Sequence, residues 1–230
     1  MTHIISFINT KGGVGKSFLS VHLAVWLTDQ NRKVALIDAD DQQTASKWLF
    51  AAKNHTVDVW VLEGASEEKR TEDLRDTINQ LRNNVDFIVV DTKGSAGLST
   101  HASVLKSDIV CVPLQPSASD LWPNENALST IRLSQEARDG APAAFLVLNQ
   151  TDDVDVLARD VRQLAKRFGF PMAKTNVKRL RAYRDAPGLK HFATRLTDAR
   201  GKKAADRLAQ LFEELLVGCL LLKKTEAANG

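Results

Sequence analysis

Short apolar runs alternate along much of the chain with longer stretches whose apolar positions recur every three or four residues. Ile4-Ile5-Ser6-Phe7-Ile8 is too short for a helix and carries no charge, as expected of a strand covered on both faces. Val34-Ala35-Leu36-Ile37, Phe87-Ile88-Val89-Val90, Ile109-Val110-Cys111-Val112 and Phe145-Leu146-Val147-Leu148 repeat the pattern. Between the first two runs, Ser17 to Asp29 places Phe18, Val21, Leu23, Ala24, Val25 and Leu27 near helical spacing. Leu74 to Leu81 is also helical in pattern, and Val154 to Phe168 and Lys203 to Leu222 are amphipathic. Strands alternating with helices predict an α/β fold, a mostly parallel twisted sheet with helices on both faces. No repeat, linker or low-complexity stretch interrupts residues 1–230, which read as a single domain.

Each apolar run leads into a polar residue: Asn9, Asp38, Asp91, Gln115 and Asn149. Ligands of open α/β sheets bind outside the carboxyl ends of the strands, so these residues predict the place of a site. The first run leads into Lys11-Gly12-Gly13-Val14-Gly15-Lys16-Ser17, followed by the first helical stretch. Glycines let a backbone turn tightly and aim its N–H groups at an anion, and the helix adds its positive end. In a phosphate-binding loop of this kind Lys16 reaches the β and γ phosphates and the Ser17 hydroxyl ligates Mg²⁺. The general pattern asks for glycine at position 10, where this chain has Thr10, and a lysine follows at Lys11.

This loop resembles the deviant Walker A motif of the ParA/MinD family of P-loop ATPases, in the short form without an N-terminal helix-turn-helix. The resemblance runs from Lys11 to Asn149, and more weakly to Ala186. It implies a P-loop NTPase fold, ATP and Mg²⁺ as cofactors, and nucleotide contacts from Lys11, Gly12, Gly13, Val14, Gly15, Lys16, Ser17 and Phe18. It also implies that Lys11 reaches the phosphates of a second subunit, joining Lys16 in catalysis. Asp38-Ala39-Asp40-Asp41-Gln42 resembles a family segment with Asp41 in place of proline. There Asp40 is expected to position the attacking water and Asp38 to support Mg²⁺. Phe87 to Thr92 resembles a Walker B strand, with Asp91 beside Ser17 at the metal, and Lys93 stands where proline is usual. Lys93 is read as a phosphate contact or as a solvated loop residue. Asn149 matches a position that often recognises the adenine edge.

Composition narrows the remaining choices. The apolar fraction is 43%, the charged fraction 26% and the net charge +3. Two cysteines 108 positions apart offer neither a disulfide framework nor a CxxC pair, which argues against an iron–sulfur reductase. The charge is unevenly spread. Residues 159–207 hold 15 basic against four acidic residues, a surplus of 11, while the rest of the chain carries −8. Such asymmetry suits a polyanionic partner. Lys178, Arg179, Arg181, Arg184, Lys190, Arg195, Lys202 and Lys203 are the expected contacts to nonspecific DNA, read without sequence preference.

The expected function is a positioning or segregating ATPase. ATP would drive it into a homodimer, DNA would retain it, and a ParB-like or other adaptor would stimulate hydrolysis. A cytoplasmic, nucleoid-associated location follows from that expectation, and no membrane partner is expected. Two alternatives stay open: a MinD-like regulator that cycles on membranes, and a metabolic P-loop enzyme resembling dethiobiotin synthetase.

Overall fold

In the computed structural model, residues 2–228 are described except 53, 65, 96, 118–123, 153–155, 168 and 189. For 156–159, 164, 167, 200 and 218–228 the description is of the backbone. Seven strands form one sheet: β1 (His3–Phe7), β2 (Val34–Ala39), β3 (Asp58–Val61), β4 (Phe87–Thr92), β5 (Ile109–Leu114), β6 (Ala143–Thr151) and β7 (Val177–Lys178). Their order is β3-β2-β4-β1-β5-β6-β7, and every neighbouring pair is parallel. The helices are α1 (Lys16–Asp29), α2 (Thr44–Ala52), α3 (Glu67–Leu81), α4 (Leu98–Lys106), α5 (Glu125–Ala137), α6 (Val156–Arg167), α7 (Arg181–Asp185) and α8 (Ala199–Ala228). The chain has the α/β fold with a parallel sheet that its strand–helix alternation predicts.

Residues alternate between the two faces of the sheet, as the two-residue period of a strand requires. Ile5 and Phe7 of β1, Val34 and Leu36 of β2, Val89 of β4 and Cys111 of β5 join a cluster with α1, α2 and α8. Ile4, Ala35, Ile37, Ile88 and Val90 pack on the other face with α3 and α4. Val110, Val112, Leu146 and Leu148 meet α5 and α6 on that same side. Apolar residues therefore serve both faces, which explains why the strands read as continuous apolar runs.

Helix boundaries follow local chemistry. Ser66 caps α3 by accepting from the Lys69 amide at 3.2 Å, eight residues before the apolar spacing begins at Leu74. Inside the α1 cluster, His22 is fully buried. Its Nδ1 bonds Phe18 O at 2.7 Å and its Nε2 accepts from the Ala193 amide at 2.9 Å. Burial pushes its pKa down to about 4, so it stays neutral and packs against Phe18, Trp48 and Phe192. Cys111 is buried and its thiol pushed up by desolvation, while the Cys219 side chain lies outside the described residues. Among the described residues no helix is long and apolar enough to cross a membrane.

Candidate nucleotide and metal site

The glycine loop lies between the end of β1 and the start of α1, at the centre of the sheet. Gly13 and Gly15 have φ of 75° and 99°, a left-handed conformation that side chains disfavour. Gly15 is also the N-cap of α1, and a Cβ there would overlap the Asn149 amide. The loop's carbonyls are held from outside by side-chain amides. Asn149 Nδ2 donates to Val14 O at 2.7 Å, and Gln150 Nε2 donates to Gly13 O at 3.0 Å. Gln115 Nε2 donates to Gln150 Oε1 at 2.9 Å. Asn9 Oδ1 accepts from the Lys11 amide at 2.7 Å while Asn9 Nδ2 donates to Pro113 O at 2.6 Å. With those carbonyls held by side-chain amides and the Lys11 amide spent on Asn9, an anion would be received by the later N–H groups of the loop.

Lys16 is 6% exposed, and its Nζ donates to Lys11 O at 3.2 Å. Burial lowers its pKa, against the pull of Asp91 and Asp40. A buried cation in this place is suited to a polyanion that arrives to neutralise it. Lys11 is exposed.

The acidic residues follow from strand register. β2 and β4 are parallel neighbours with Asp38 opposite Asp91. Positions 34, 36 and 38 of β2, and 87, 89 and 91 of β4, point toward the face that α1 covers. Two carboxylates thus meet beneath the glycine loop, and both are completely buried. Asp38 is satisfied: Oδ2 accepts from the Ser46 amide at 2.8 Å and Oδ1 from the Asp40 amide at 3.2 Å. Desolvation still raises its pKa. Both oxygens of Asp91 lack a hydrogen-bond partner. Burial pushes its pKa up to about 8; the Ser17 hydroxyl favours its charge without reaching hydrogen-bond geometry, and Asp38 opposes it.

A divalent cation fits this donor set. A partnerless, fully buried carboxylate beside a second carboxylate and a hydroxyl lacks a positive charge, and hard oxygen donors are what Mg²⁺ prefers. Among the described residues no three His, Cys, Asp or Glu side chains converge on one point. The protein would supply few ligands and leave the others to water and phosphate, as Mg²⁺ sites commonly do.

Asp40 lies beyond the extended backbone of β2. β2 ends at Ala39, and Asp40 lies in the following turn, where its Oδ1 accepts from the Gln42 amide at 2.9 Å. It stays within electrostatic reach of Lys16 and Asp91, beside the place where a terminal phosphate would lie. The turn bends because Asp38 and Asp40 each accept a hydrogen bond from a backbone amide two residues on.

A family model for the CobQ/CobB/MinD/ParA nucleotide binding domain matches residues 5–221. The chain belongs to that family. It is 31% identical over 219 residues to the Maintenance of carboxysome distribution protein A of Halothiobacillus neapolitanus, covering 92% of this chain and 95% of that one. The ATP complex of a variant of Cyanothece McdA superposes with a TM-score of 0.71 at 14% identity, covering 93% and 96% of the two chains. The septum site-determining protein MinD of Pyrococcus horikoshii with Mg-ADP gives 0.68 at 20%, covering 93% and 96%. The ParA/MinD resemblance of the loop thus extends across the whole fold.

A nucleotide held by the loop would need room beside it for its base and ribose. A cavity of about 310 Å³ adjoins Gly15, lined by Phe18, Asn149, Lys178, Arg179, Tyr183 and Arg184 among others. Phe18 and Asn149 therefore share one pocket. The Asn149 amide is spent partly on Val14 O, with its Oδ1 accepting from the Gln150 amide at 2.9 Å.

The basic segment is divided by the fold. Lys178, Arg179 and Arg184 line the cavity beside the loop, while Lys202, Lys203 and Arg207 line an open depression on α8. Arg181 and Lys203 border a further hollow with His191. Arg181 and Arg184 are about three-quarters exposed and both pair with Asp185. Lys190 is exposed. Arg195 is occupied: it grips Asp29 through two nitrogens at 3.0 and 2.7 Å, bonds Asn54 O and lies over the Phe192 ring. Arg162 and Arg207 are likewise tied to the backbone of residues 173–176. Part of the positive surplus therefore fastens the fold. Gln150 and Arg70 escaped sequence reasoning, since neither lies in a motif; only the polar strand end at Asn149 pointed near Gln150.

Proposed function

We propose that this chain is a ParA-type positioning ATPase that binds Mg·ATP in the glycine loop and hydrolyses it to leave a DNA-bound dimeric state. The observation that carries the reading is the buried, partnerless Asp91 opposite Asp38 and near Lys16, at the foot of the glycine loop.

The loop amides and Lys16 would bind the β and γ phosphates, with Phe18 and Asn149 bordering the base. Ser17 and Asp91, supported by Asp38, would hold Mg²⁺, which when bound screens phosphate charge and orients the phosphate oxygens. Asp40 would hold the attacking water in line, accepting its hydrogen bond from the turn after β2. Lys11, exposed on the loop, would reach the phosphates bound by a second copy and stabilise the charge that develops there. ATP then favours the dimer because its phosphates are contacted better by two chains than by one.

DNA retention would rest on Lys178, Arg179, Arg181, Arg184, Lys190, Lys202 and Lys203. Arg195, occupied by Asp29, would contribute through the position of its neighbours rather than through phosphate contact. The cargo adaptor would be a protein that stimulates hydrolysis. The similarity to a carboxysome distribution protein favours a protein-cluster cargo over a plasmid.

The test is cosedimentation with DNA at fixed salt, with and without Mg·ATP, alongside phosphate release. Wild type is expected to pellet with ATP and to release phosphate slowly. Lys16→Ala should lose ATP binding and retention together. Lys202→Glu, on α8 and outside the cavity beside the loop, should lose retention while keeping ATP affinity. ATP-independent pelleting, or equal retention of Lys202→Glu, would refute the DNA-switch reading. ATP-dependent pelleting with liposomes instead of DNA would point to membrane cycling.

A further inference from the structure

The loop after β2 and the loop after β4 are joined by charge. Lys93 Nζ lies 2.5 Å from Asp41 Oδ2, across 52 positions of sequence. The other Asp41 oxygen pairs with the Arg70 guanidinium from α3. Arg70 is 8% exposed, so Asp41, itself exposed, is the counter-ion of a largely buried cation. One turn earlier on α3, Glu67 Oε1 accepts from the Ser99 amide at 2.9 Å and its hydroxyl at 2.7 Å, fastening the first turn of α4.

Both joined loops carry parts of the site. Asp40 precedes Asp41 directly. Gly94 follows Lys93 and lies against the cradle: a Cβ on it would stand 3.4 Å from Gly12 N and 3.4 Å from Lys16 Nζ. Asp41 and Lys93 are also two positions at which this chain departs from the pattern it resembles, each taking the place of a proline. Two stiff residues have been exchanged for one cross-loop ion pair, which restrains the same backbone by contact rather than by covalent geometry.

We propose that Asp41 and Lys93, anchored by Arg70, form a clasp that positions Asp40 and the Gly94 segment together against the phosphate cradle. Both are positioning residues: they act through Asp40 and through the loop over Lys16, and neither touches the nucleotide. The catalytic consequence rests on the ATPase reading above; the clasp itself is a property of the nucleotide-free chain.

Hydrogen exchange on the nucleotide-free full chain measures the clasp without ATP. Lys93→Ala should speed exchange about tenfold at Gln42 and Gln43, on the opposite loop, and Asp41→Ala should do the same at Ser95, with β1 amides unchanged in both. Lys93→Arg should restore wild-type exchange. In turnover, Lys93→Ala should lower kcat about tenfold while ATP affinity stays within about threefold, a split that simple loss of stability would not give. The double variant Asp41→Ala/Lys93→Ala should be no slower than Asp41→Ala, because the loss of Asp41 already removes the pairing to Lys93 as well as that to Arg70. Faster exchange confined to the mutated loop, additive losses in the double variant, or a loss of ATP affinity that marks Lys93 as a phosphate contact would each overturn the clasp. Cross-loop exchange effects in a chain that turns over no ATP would uphold the clasp and overturn the ATPase reading.

Discussion

Asp91→Asn should make the nucleotide-free protein more stable while disabling it. In the folded chain burial pushes the Asp91 carboxyl from 3.8 up to about 8. The folded state therefore holds a proton that the unfolded state releases between those values. Folding stability accordingly falls as pH rises across that window. At pH 7 the penalty is about 4 kcal/mol, taking 1.36 kcal/mol for each unit between 3.8 and 7. Asparagine has nearly the same shape and no charge, so it removes that penalty. Its amide inherits the absent hydrogen-bond partners and costs about 1–3 kcal/mol in return. The net gain is about 1–3 kcal/mol, or a Tm rise of about 3–9 °C for a chain of this length. Thermal unfolding in EDTA at pH 7 measures it, and at pH 5 the gain should largely vanish because the penalty has shrunk. Adding Mg·ATP should raise the Tm of wild type and leave that of Asp91→Asn almost unmoved. An Asp91→Asn protein no more stable than wild type in EDTA, or one still stabilised by Mg·ATP, would refute the account of this carboxylate.

Gly15→Ala should abolish nucleotide binding, because its φ of 99° is left-handed and the new methyl meets the Asn149 amide that holds the loop. Isothermal titration with ATP checks it, and retained affinity would mean that the loop can be rebuilt without that contact. His22 should make the fold acid-sensitive. Its folded pKa of about 4 lies below the usual 6.5, so the unfolded chain takes up the extra proton and stability falls as pH drops through that interval. The full effect is about 3 kcal/mol, visible as a smaller loss of urea-unfolding free energy in His22→Gln than in wild type between pH 7 and 4.5.

What the chain disclosed as letters and what it withheld divide along physical lines. Five strands were legible because they are buried on both faces and uninterrupted by charge. β3 and β7 were not: Asp58–Val61 is an edge strand with an exposed aspartate and half-buried neighbours, and Val177–Lys178 is two residues long. α2 and α4 are nine residues each, too short for periodicity to stand out. At the site, Asp38 and Asp91 were legible because they end strands, and register then set them side by side. The pairing of Asp41 with Arg70 and Lys93 needs two loops and a helix to converge, and nothing local announces it. Arg195 shows the opposite hazard. As one more cation in a basic run it suggested DNA contact, yet its partner Asp29 lies 166 positions away.

The seam between β6 and β7 has a mechanical consequence. Asn149, whose amide grips the glycine loop, pairs in register with Val177, and Thr151 pairs with Lys178. The Arg179 amide donates to Thr151 O at 2.8 Å. A pull on the loop at Val14 would pass through Asn149 and across β6 and β7 to the backbone of Lys178 and Arg179. News of an occupied cradle would need no long relay of helices to reach the charged rim; it has only the width of two strands to cross.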